Sequence, residues 1–122
     1  MELVYKPQGE KYGFCLFGAK FGDAWGKLQR ETLFIYFSDF EYIIESVKSV
    51  YPLTDPDTGE VSEAFDITGM NWIHNEAWNI IIKDLQSKTY ENCELKNFID
   101  SFCSWILEEQ KNSDEIMIEG TI

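Results

Sequence analysis

The chain has 122 residues, 44% hydrophobic and 16% aromatic, enough apolar surface for one packed core and too much for a disordered acidic chain. Its 22 acids against 10 bases give a net charge of −12, which repels phosphate backbones and anionic lipid and attracts basic proteins. No apolar run approaches the roughly 20 residues that cross a bilayer, so neither direct nucleic-acid binding nor membrane insertion is expected.

In chain order, Leu3-Val4-Tyr5 reads as a short extended segment stopped by Pro7 and Gly9. Tyr12 to Phe17 reads as a strand, with Phe14 and Leu16 on one face and Cys15 and Phe17 on the other. Glycines then recur at 13, 18, 22 and 26 among Phe21 and Trp25. They fit either a bent hairpin or a turn into a short helix from Asp23 to Arg30. Leu33 to Phe37 is a run of β-formers, apolar on both faces, as a central strand would be.

Ser38-Asp39-Phe40-Glu41 fits a capping box, with Phe37 and Tyr42 placed as a hydrophobic staple. Phe40, Ile43, Ile44, Val47 and Val50 continue it as one helical stripe, and Pro52 ends it. Asp57-Thr58-Gly59 reads as the tip of a hairpin with arms Tyr51–Thr54 and Val61–Ile67. Asn75, or Asn71 before it, opens a second helix with the stripe Ala77, Trp78, Ile81, Ile82 and Leu85. Asn92 caps a third, whose stripe is Leu95, Phe98, Ile99, Phe102, Cys103 and Ile106. Glu115 to Ile122 closes as a strand. The order predicts one α+β domain over residues 1–122, a mostly antiparallel sheet packed against about three helices.

The acids are unevenly placed. Residues 38–66 hold eight against Lys48, and residues 91–122 hold eight against Lys96 and Lys111, while the rest of the chain is nearly balanced. Such segments on a folded core are useful chiefly when something basic binds them. Asp55, Asp57, Glu60, Glu63 and Asp66 crowd a turn-rich stretch, and Glu41 and Glu45 are one helical turn apart. These seven carboxylates are the expected partner-binding residues. Trp72, beside a glycine turn, is the expected aromatic anchor, because tryptophan is enriched at interface hot spots. Trp105, just off the third helix's stripe, is a further anchor candidate.

Catalytic and metal motifs are weak. Asp55 to Glu60 fails the spacing of a calcium loop, since Gly59 falls at position 5 and Asp66 at position 12. His74 is the single histidine and reads as a surface or helix-start residue. Glu108-Glu109 and Asp114-Glu115 lie in polar surroundings that do not raise a carboxyl pKa. The glycines match no phosphate-binding loop. No cofactor, metal or catalytic residue is expected. The opening Met-Glu-Leu-Val-Tyr-Lys-Pro lacks a basic stretch followed by an apolar one, and the three cysteines are an odd count. The expectation is therefore no secretory signal, reduced thiols and a cytoplasmic location.

A small, acidic, leaderless α+β chain without catalytic residues resembles, in type, the immunity proteins of bacterial toxin–immunity pairs. That resemblance implies a toxin domain as partner, most plausibly a basic nuclease, neutralised by blocking its substrate cleft or an adjacent surface. Phage-encoded inhibitors of host nucleases share the charge pattern. Two other classes compete: an adaptor or subunit that docks through an apolar patch and holds in high salt, and an enzyme built around His74 and a carboxylate brought near it by folding.

Overall fold

The computed structural model describes residues 2–5, 12–21 and 32–120. Its elements are β1 (Gly13–Ala19), β2 (Leu33–Tyr36), α1 (Phe37–Lys48), β3 (Leu53–Thr54), β4 (Val61–Ser62), β5 (Met70–His74), α2 (Asn75–Ser87), α3 (Cys93–Gln110) and β6 (Glu115–Gly120). Four strands form an antiparallel sheet of order β2-β1-β6-β5, and β3 and β4 make a separate two-stranded hairpin. This is the α+β arrangement the sequence predicts. The reading of residues 22–31, including Trp25, lies outside the described residues.

Strand alternation sorts the sheet into two faces. Phe14, Leu16, Leu33, Ile35, Ile73, Ile116 and Ile118 turn inward and join the main core. Phe17, Ala19 and Met117 turn outward and form a second, smaller cluster with Met70 packed against it. The register sets Leu16 opposite Leu33 and Ile118, and Met117 opposite both Phe17 and Trp72. Gly13 and Gly18 allow close approach: a Cβ on Gly13 would run into the Ile35 carbonyl, and one on Gly18 into the Ser113 hydroxyl.

All three helices pack on the inner face. α1 contacts β1 and β2, α2 contacts β5 and β6, α3 contacts β6 and β1, and α2 lies between the other two helices. Trp78 is fully buried, and its Nε1 donates to the Ile116 carbonyl at 3.0 Å. Phe14 stacks on Phe40 with centroids 4.2 Å apart, and Phe65 joins that stack from the loop before β5. Burying a side chain of this size contributes about 1.5–3 kcal/mol. α1 is tied to α2 where the buried Ser46 hydroxyl donates to Asp84 and Lys88 closes on both groups. The Ser46 hydroxyl, and secondarily Lys88, hold the Asp84 carboxyl below its ordinary pKa.

Three local readings change. α1 starts at Phe37, its N-cap is Tyr36, and no side chain caps it. Ser38 therefore lies inside the first turn rather than at the cap, because β2 runs into the helix without a loop. β2 is also not central: beyond it lies the isolated Val4–Phe34 bridge. Its two-sided apolarity is satisfied because Phe34, on the outer face, is itself buried. Finally, Met70–His74 is a strand, and Asn71 does not cap a helix. Asn71 is a buried polar residue that accepts from the Asp66 amide at 2.8 Å and donates to the carbonyls of Asp66 (2.7 Å) and Ile118 (3.2 Å). α3 starts as expected, with Asn92 Oδ1 accepting from Glu94 and Leu95.

Candidate functional site

The β3–β4 hairpin takes its shape from its own polar side chains. Asp55 Oδ1 accepts from the amides of Asp57 at 2.8 Å and Thr58 at 3.3 Å, and the Thr58 hydroxyl accepts from the Glu60 amide. The backbone closes through Asp55 N–H to the Glu60 carbonyl and Gly59 N–H to the Asp55 carbonyl, both 2.8 Å. Gly59 sits at φ +77°, a conformation glycine adopts without steric cost. The Asp, Thr and Gly that suggested a turn are thus the groups that build it.

This hairpin faces the outer side of the sheet across a groove of about 310 Å³. Asp55, Asp57 and Glu60 line one wall, and Trp72, Glu115 and Met117 line the other, with Lys20 at the margin. The exposed Asp57 and Glu60 and the half-buried Asp55 therefore share this groove with Lys20 and an indole that is 45% exposed, while Glu115 is buried at its base. Carboxylates so spaced accept several N–H bonds from guanidinium or ammonium groups, and the indole face attracts the same cations.

A neighbouring depression of about 300 Å³ is lined by Pro56 of the hairpin tip, Phe21, His74, Asn75, Glu76 and Asp114. Here His74 Nδ1 accepts from the Ala77 amide at 3.3 Å and caps α2. Asn75 Nδ2 donates to the Ser113 carbonyl at 2.7 Å, while its buried Oδ1 has no donor among the described residues. Among the described residues no group of three or more His, Cys, Asp or Glu is arranged to hold a metal ion. No described helix is long and apolar enough to cross a membrane.

Of the eight residues expected to bind a partner, Asp55, Asp57, Glu60 and Trp72 line one groove. Glu41 and Glu45 are exposed on α1, and Glu63 is exposed beyond β4. Asp66 turns its Oδ1 to the amide and hydroxyl of Thr68, both at 3.0 Å. Glu115 and Met117 were not on the sequence-based list. Their signal was the alternation of β6, which sets them opposite Ile116 and Ile118, but only the sheet order brings them to Trp72. Comparisons with protein-family models, curated proteins and solved structures gave no match.

Proposed function

We propose that this chain is a small acidic binding protein that neutralises a basic partner, in the manner of an immunity protein that blocks a toxin nuclease domain. The observation that carries this reading is the hairpin groove, where Asp55, Asp57 and Glu60 face Trp72 and Glu115. An excess of negative charge at a concave surface speeds encounter with a basic protein, and a half-exposed tryptophan in it supplies short-range affinity. Carboxylates presented in this way mimic the phosphates that a nuclease cleft binds.

The test is capture of a toxin-type basic nuclease domain from the source cell, with the wild-type chain and with Asp55→Lys, Asp57→Lys and Glu60→Lys combined. Association should slow as salt rises, and the reversed variant should lose capture and inhibition. Capture that is indifferent both to salt and to these three reversals would overturn the reading and favour an apolar adaptor surface.

A further inference from the structure

A second groove lies away from the hairpin, between α3 and the extended segment at residues 2–5. It measures about 760 Å³ and shares no lining residue with the hairpin groove. Its floor is a stripe of α3 beside the core stripe, in which Ser101 and Ser104 are small and exposed and leave the space open. Its walls are aromatic, with Tyr5 on the extended segment and Trp105 on the helix. Tyr5 is 52% exposed, and Trp105 is partly buried against the core. Among the described residues that line it, Glu2, Glu94, Asp100 and Glu108 are acidic and none is basic.

We propose that this groove is a second docking site, which receives an arginine-bearing segment of a protein partner. Charge complementarity selects the occupant. An anionic ligand, or a second copy of a chain at −12, would meet four carboxylates of its own sign. Arginine matches both features present, because its planar head forks onto carboxylates and stacks on aromatic faces. Lys96 and Lys111 sit outside the groove and hold Asp100 and Glu108 at 2.9 Å each, as exposed pairs within one turn of α3. Exposed pairs of this kind contribute little and exchange readily for a better-placed cation. Aliphatic side chains between the arginines fit the space above Ser101 and Ser104. The assignment does not depend on the hairpin reading, since the two grooves are lined by different residues.

The experiment is an NMR titration of the intact isotope-labelled protein with a synthetic peptide alternating arginine and leucine. The same peptide with glutamate for arginine is the control. The arginine peptide should shift resonances along Glu94–Glu108 and at Leu3–Tyr5, and the glutamate peptide should not. Ser104→Arg places a bulky like charge in the groove at an exposed helical position, where arginine is a better helix former than serine. It should leave the thermal midpoint unchanged and weaken the peptide about tenfold, whereas Ser104→Ala should bind as wild type. The proposal is overturned if the arginine peptide fails to bind, binds Ser104→Arg as tightly as wild type, or shifts only the hairpin groove. Combined Lys substitution at 55, 57 and 60 should leave peptide binding on α3 intact. Loss of binding there would merge the two sites and overturn the second one.

Discussion

Asn71 shows how a polar residue in the wrong place for a sequence pattern holds a fold together. It faces inward beside Ile73, while Trp72 faces outward, so at these two positions β5 inverts the usual placement of apolar inside and polar outside. That inversion hid the strand in the sequence. Its amide pays its desolvation through three hydrogen bonds, two of which fix the turn at Asp66. Asn71→Ala strands those partners and should cost about 3 kcal/mol, read as a lowered urea midpoint with an unchanged slope. Other single residues were legible from pattern alone. Trp78 and Cys103 sit on helical stripes and are buried there as the spacing predicts. His74 was read as a surface or helix-start residue, and its ring nitrogen caps α2.

At the scale of elements, periodicity located all three helices, and the ends were legible where a side chain makes the end. Asn92 accepts from two amides at the start of α3, and Asn92→Ala should destabilise by about 1 kcal/mol. Ser38 reads equally well as a cap, but the helix begins before it. Ser38→Ala should therefore lie within about 0.5 kcal/mol of wild type in the same urea measurement. The difference between the two serves as a direct check on where α1 starts. The hairpin tip was readable from Asp57-Thr58-Gly59, but its second arm was not. Val61–Ile67 shortens to Val61–Ser62, because β3 offers only Leu53 and Thr54 to pair with it. Pairing across the sheet has no local signal of this kind. The wall of Glu115 and Met117 opposite the hairpin depends on contacts between residues far apart in sequence.

For the whole molecule, the two acidic segments meet in the hairpin groove, and the second also lines the groove along α3. Carboxylates from residues 55–60 and 115 line one, and those of Glu2 and of α3 line the other. The core carries its own pH dependence on the alkaline side. Burial pushes the Cys103 thiol up from 9.0 to about 11 and the Tyr51 hydroxyl up from 10.0 to about 12. Well below pH 9 both groups keep their protons, folded or unfolded, and contribute no pH dependence. As pH rises from 9.0 toward about 11 the unfolded thiol ionises while the folded one does not, so stability falls; Tyr51 repeats this between 10.0 and about 12. Urea midpoints measured across this window should decline, and Cys103→Ala should flatten the lower part of the decline.

The place of β6 in the sheet has a consequence for biosynthesis. It is the last described strand to be made, yet it lies between β1 and β5. When the ribosome has released the chain only as far as α3, the strand that joins the two sides of the sheet is still in the exit tunnel. Closing the loop of about 100 residues between β1 and β6 is rewarded only when that strand arrives. Glu115 and Met117 arrive with it, so a nascent chain has no hairpin groove until β6 has left the tunnel and paired.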